Sequence, residues 1–223
     1  MKIETWKEYI ERTTFMDWKS YGDEFHPHPQ VEQKVNADGS YRPFWGDTML
    51  FYLKPDAVEA LSAAQRKLHE SGIPLSKELN PKQFHMTLHD LDHTLGCDKR
   101  WDTTKQQAEK IIKTLENGTV QLAPVSAFPM MNTSIVVGYR PETENDCRLL
   151  MQWCNAFEPL FSYGQPTFHV TLAYFRPGDA GQMEMAALKS ALNSVNTMPL
   201  PTLKLAKNDL RYQRFYDMNC YFG

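Results

Sequence analysis

The pattern Phe-His-x-Thr-Leu occurs twice in this chain, as Phe84–Leu88 and Phe168–Leu172, with the two histidines eighty-four positions apart. In an extended strand, successive side chains point to opposite faces. Phe84, Met86 and Leu88 then share one face and His85 and Thr87 the other, while Phe168, Val170 and Leu172 oppose His169 and Thr171 in the same way. Each copy predicts a strand whose apolar face enters a core and whose other face displays an imidazole beside a hydroxyl. Recurrence of both polar partners at one spacing points to a duplicated architecture, which a single copy would not.

The segments around the two copies agree with duplication. "DTMLFYL" reads as a strand, "PDAVEALSAAQRKLHESG" as an amphipathic helix opened by Pro55 and closed by Gly72, then come the first His-x-Thr strand, the helix "TTKQQAEKIIKTLENG" and the strand "TVQLAPVSAF". The same order returns as "TSIVVGY", "TENDCRLLMQWCNAFEPLF", the second His-x-Thr strand, "DAGQMEMAALKSALNSV" and "LPTLKLA", with "LRYQRFYDMNCYF" as an extra strand. Each half is β-α-β-α-β with the motif on its middle strand. The expected fold is α+β: two pseudo-symmetric β-α-β-α-β lobes with mixed, largely antiparallel sheets around a central cleft. Residues 1–46 are expected to form an N-terminal extension, a short helix from about Thr5 to Trp18 followed by irregular chain. Residues 47–223 form one bilobal domain, with lobe 1 at about 47–128 and lobe 2 at about 129–223. Within the extension, "FHPHPQ" reads as a loop that would fold over the cleft as a lid.

Two imidazoles facing each other across a cleft can divide the work of in-line phosphodiester cleavage. One, neutral, takes a proton from attacking water; the other, protonated, gives one to the departing oxygen. An unperturbed pKa of about 6.5 makes both forms accessible near neutral pH. Threonine hydroxyls beside them can donate hydrogen bonds to the non-bridging phosphate oxygens. The arrangement requires neither a metal nor another cofactor. His85 and His169 are thus the candidate catalytic residues, and Thr87 and Thr171 the candidate phosphate-binding residues.

Continued alternation would put His89 on the face of His85 and Phe175 on the face of His169, making both candidates for lining the cleft, with Tyr174 opposite. A helical reading instead stacks His85, His89 and His93 as a zinc site with Asp90, Asp92 or Cys97 nearby. The period-two alternation, and Ala173 where the first copy has His89, argue against it. Tyr41, Trp45, Tyr174 and Phe175 are candidates for stacking a base, though such aromatics more often belong to a core. Arg42, Arg176, Arg211 and Arg214 are candidates for supplementary phosphate contacts, though solvated surface positions are the ordinary reading for each.

A formal net charge of −3 with no dense Lys/Arg block disfavours a grip on duplex nucleic acid, whose binding rests on neutralised phosphates. A nucleotide or an RNA end needs only a local site and is the expected partner. No apolar run has the length of a membrane span or signal peptide, so no membrane contact and a cytoplasmic location are expected. Cys97, Cys147, Cys154 and Cys220 lack C-x-x-C spacing and are read as free thiols.

With His85-Met86-Thr87-Leu88 and His169-Val170-Thr171-Leu172 in place, the chain resembles the two-histidine phosphoesterase superfamily, which includes RNA 2′,3′-cyclic phosphodiesterases. Its signature is a repeated His-x-(Thr/Ser)-x, flanked by apolar residues, on central strands of two similar lobes. The resemblance covers the chain from about Asp47 to the C-terminus and holds at every functional position of both motifs. It implies a metal-independent phosphodiesterase acting on a 2′,3′-cyclic phosphate or related 2′-linked phosphodiester of a nucleotide or RNA end. His85 and His169 would be its acid/base pair and Thr87 and Thr171 its phosphate ligands. The alternatives are a non-catalytic nucleotide-binding module on the same fold, or a metallo-hydrolase built on the histidine cluster.

Overall fold

In the computed structural model, which describes residues 3–162 and 164–223, local signals in the sequence start three of the helices. Thr5 and Glu8 form a capping box that starts α1 (Trp6–Arg12). The strands β1 (Glu24–Phe25) and β2 (Gly46–Tyr52) follow, then α2 (Pro55–Glu70), whose first residue is a proline that lacks the N–H a first turn cannot use. Next come β3 (His85–Asp90), α3 (Trp101–Thr114), β4 (Thr119–Met130), β5 (Ser134–Pro141) and α4 (Glu144–Asn155), capped by the Thr143 hydroxyl. The chain ends with β6 (His169–Tyr174), β7 (Met183–Glu184), α5 (Met185–Asn196), β8 (Leu203–Ala206), β9 (Leu210–Asp217) and β10 (Cys220–Phe222). None of the described helices is long and apolar enough to cross a membrane.

The fold is α+β, with the order β-α-β-α-β occurring in β2-α2-β3-α3-β4 and again in β5-α4-β6-α5-β8, where only the two-residue β7 intervenes before α5. Every pairing among the described strands is antiparallel, so the sheets are not mixed. Two four-stranded sheets, ordered β10-β9-β2-β3 and β6-β5-β4-β8, carry the molecule, with β1 and β7 forming a small third one. The His-x-Thr strands β3 and β6, middle in chain order, are therefore sheet edges and not central strands.

The sheets also do not follow a division at 47–128 and 129–223. Strand β4 joins the second sheet, because Met131 and Asn132 turn it back in left-handed conformations (φ 48° and 54°) to pair with β5. The C-terminal β9 and β10 return to complete the first sheet beside β2. Nor is the segment before β2 merely an extension. Tyr9, Met16, Phe25, Val31 and Val35 are buried. The Tyr9 hydroxyl donates to the Tyr139 carbonyl (3.2 Å) and accepts from the Phe168 amide (3.1 Å), tying β5 to the residue before β6.

Both motif strands carry a β-bulge at the same place. Against β2, Met49 pairs with His89 and Leu50 with Thr87, leaving Leu88 as the extra residue; against β5, Ile135 pairs with Ala173 and Val136 with Thr171, leaving Leu172. The two halves meet here by exchange of helices. On α2, buried Gln65 donates to the Leu172 carbonyl (2.9 Å) and to that of Leu79 (3.2 Å); on α4, the buried Cys154 thiol donates to the Leu88 carbonyl (3.1 Å). Gln65 and Cys154 each stand ten residues beyond the first residue of their helix, Pro55 and Glu144. Each half thus supplies the donor for the other half's bulged carbonyl. The four cysteines are free thiols, and only Cys220 is exposed.

Candidate active site

Strands β3 and β6 face each other across a cleft of about 230 Å³ whose walls include His85, Thr87, His169 and Thr171. The structure therefore brings together all four residues of the duplicated motif. Their opposite-face neighbours Phe84, Met86, Leu88, Phe168, Val170 and Leu172 are buried, which fixes each strand's register by its apolar side.

The two imidazoles are held alike. His85 Nδ1 lies 2.7 Å from the Gln83 carbonyl oxygen and His169 Nδ1 lies 2.6 Å from that of Thr167, in each case two residues back along the chain. A carbonyl only accepts, so Nδ1 carries the proton in both neutral rings and Nε2 is the nitrogen with a lone pair. Burial, with a smaller contribution from the charge of His169, pushes the His85 pKa down to about 4 against its backbone hydrogen bond. His169 is also lowered, first by burial and then by the nearby Lys34 ammonium. Both rings are thus poised toward the neutral form. An arriving anion would raise both values.

Beyond the motifs, the bulges rearrange the expected lining. After Leu88 the alternation reverses, so His89 turns away from His85 and is fully buried, its ring 6.1 Å from that of Phe157 and its Nε2 3.5 Å from the Glu158 carboxylate. Asp90 takes the cleft position instead. In β6 the same reversal puts Tyr174 on the cleft and Phe175 in the core, against Phe25 at a ring separation of 4.5 Å. His89 and Phe175 do not line the cleft, contrary to strict alternation. His93 lines the cleft with His85 but the buried His89 does not, and the described residues contain no cluster of three or more potential metal ligands.

Of the other aromatic candidates, Tyr41 stands edge-on behind Tyr174 at 6.3 Å with its hydroxyl bonded to Ser76 and the Lys77 carbonyl, and Trp45 stacks on Trp101 away from the cleft. The four arginines lie outside the lining. Arg42, Arg176 and Arg211 donate to backbone carbonyls, and Arg214 packs over Trp101 and Phe222. "FHPHPQ" is not a lid: Phe25 is core, and His28 bonds the Asn132 carbonyl through its amide and caps the turn Pro29–Gln33. The extension's contribution to the cleft is Lys34 and Phe44, which sequence patterning missed. Tyr221 was missed as well; its ring lies 4.4 Å from that of His85. These residues come from loops and from a distant C-terminal strand, where no periodicity marks a cleft face.

No family model matches the chain, and no curated protein matches it. Among solved structures it is similar to a conserved protein of unknown function from Agrobacterium tumefaciens, with 17% identity, coverage of 94% of this chain and 97% of that one, and a TM-score of 0.63. The two share a fold. It also has a likeness to Escherichia coli LigT complexed with phosphate (14% identity, 78% of this chain and 96% of that one, TM-score 0.43). A crystal structure described as a phosphoesterase stands at 11% identity, 78% and 98% coverage and a TM-score of 0.46.

Proposed function

We propose that the chain is a two-histidine phosphoesterase: a metal-independent phosphodiesterase that hydrolyses a 2′,3′-cyclic phosphate or related 2′-linked phosphodiester on a nucleotide or RNA end. The observation that carries this reading is the matched pair of imidazoles, each with Nδ1 bonded to a carbonyl two residues back, on facing strands of one cleft. In this reading one Nε2 takes the proton of the attacking water while the other protonates the leaving ribose oxygen. Thr87 and Thr171 donate to the non-bridging oxygens, where charge accumulates in the transition state. The substrate's own negative charge would load the acid, since both rings are held toward neutrality without it.

The test is incubation with 2′,3′-cyclic nucleotides, short RNAs ending in a cyclic phosphate, and 2′-5′ and 3′-5′ linked dinucleotides, with chelator present and product followed by phosphorus NMR. Turnover confined to the cyclic or 2′-linked members supports the reading and identifies the product's phosphate position. Tight binding across the panel without turnover would replace it with a nucleotide-binding module.

A further inference from the structure

Lys34 is the one cation on the cleft wall among the described residues apart from the histidines. It follows the short turn Pro29–Gln33 and opens a tight loop closed by a bridge between Val35 and Tyr41. The loop is fastened from both sides: the Arg42 amide donates to the Lys34 carbonyl (2.9 Å), the Lys77 amide to the Gly39 carbonyl (2.8 Å), and the Tyr41 hydroxyl to the Lys77 carbonyl (2.7 Å). The side chain then crosses two aromatic faces, with Nζ 4.9 Å from the Phe44 centroid and 5.8 Å from that of Tyr174.

Among the described residues no carboxylate stands within ion-pair distance of Nζ. Asp90 acts on Lys34 through space, and its carboxylate is within 3.4 Å of His93. Burial lowers the Lys34 pKa; the lysine's charge adds to the burial that lowers His169, while at His93 it opposes the Asp90 hydrogen bond that holds that pKa up, so its field reaches both sides of the cleft. Aromatic faces offset part of the cost of desolvating an ammonium, and a counter-anion would offset the rest.

We propose that Lys34 is an anion-binding residue of the cleft that takes a phosphate oxygen of the substrate, so that the N-terminal segment as well as the duplicated core sets which phosphate esters bind. The inference rests on the phosphodiesterase reading for the identity of the ester, and on geometry alone for the phosphate. A lysine presents a compact point charge suited to phosphate, without the planar demands of a guanidinium.

The experiment is titration of the full chain with inorganic phosphate by calorimetry, comparing wild type with Lys34→Met, which keeps the apolar stem, and Lys34→Arg, which keeps the charge. Loss of a charged hydrogen bond predicts binding weakened by about tenfold or more in Lys34→Met, with most of the affinity kept in Lys34→Arg and unchanged thermal unfolding in both. Lys34→Gln gives the same readout if methionine disturbs the packing. Wild-type affinity in the uncharged variants, or absence of phosphate binding by the wild type, would overturn the assignment. Repeating the titration on the His85→Ala/His169→Ala background with a 2′,3′-cyclic nucleotide, with and without a 5′-phosphate, locates the contact. Equal losses place it on the cyclic phosphate, and a larger loss with the 5′-phosphate places it on the flanking group. Phosphate binding that depends on Lys34 in a protein that hydrolyses nothing would refute the phosphodiesterase reading and leave the Lys34 assignment standing.

Discussion

Asp90 and Tyr174 occupy equivalent places in the two halves: each stands five residues beyond its strand's histidine, and each reaches the same cleft because a bulge at Leu88 or Leu172 reverses the alternation just before it. The duplication therefore extends beyond the His-x-Thr motif to the backbone irregularity that follows it. The side chains at that fifth position differ, one an acid and one a phenol, so the cleft is symmetric at its histidines and asymmetric beside them.

The bulges predict what Gln65 does. Replacing it by methionine leaves the Leu172 and Leu79 carbonyls without their buried donor. Stability should fall by about 1–3 kcal/mol in urea unfolding, the usual cost of an unsatisfied buried group. An unchanged midpoint would mean that the bulge does not depend on α2.

His89 separates structure from chemistry. His89→Ala truncates a fully buried ring against Phe157 and should cost about 2–4 kcal/mol, as other large-to-small core substitutions do. Its kcat should stay near that of the wild type at a temperature where the variant is folded. A large loss of kcat with intact folding would return His89 to the cleft.

Acid should act on His85 in a defined window. The unfolded chain binds a proton at about pH 6.5. The folded protein resists protonation until about pH 4. This contribution to stability is therefore complete above the unfolded value and is lost as pH falls from about 6.5 to 4. His85→Gln should lose less stability than the wild type across that window, measured by denaturant midpoints. In the wild type, NMR should show the His85 imidazole titrating near 4 and moving up when phosphate is added. Titration near 6.5 in the free protein would contradict the burial argument.

Tyr9 tests whether the N-terminal segment is part of the fold. Tyr9→Phe removes a hydroxyl that bonds both the Tyr139 carbonyl and the Phe168 amide, and should cost about 1–3 kcal/mol in unfolding experiments. No measurable loss would return residues 1–46 to the status of an appendage.

The sequence was legible where periodicity and capping speak. The repeated Phe-His-x-Thr-Leu, the proline opening α2 and the β-α-β-α-β order all have counterparts in the structure. Two kinds of feature were not legible. A bulge leaves no mark in an alternating pattern, so strict alternation puts His89 and Phe175 on the cleft face and Tyr174 opposite it, the reverse of their places in the structure, and offers Asp90 only as a neighbour of a zinc site. The wiring of the sheets was also hidden, because β4 and β9 pair across the apparent midpoint through contacts distant in sequence. Lys34, Phe44 and Tyr221 reach the cleft through that same long-range packing.

The most direct test of the central claim is turnover of a 2′,3′-cyclic nucleotide by the wild type, His85→Ala, His169→Ala and the double variant, with chelator present throughout. If the two imidazoles work as one proton-transfer unit, each single variant should lose about 10²–10⁴ in kcat and the double variant should be little worse than either. Near-wild-type turnover in either folded single variant would contradict it.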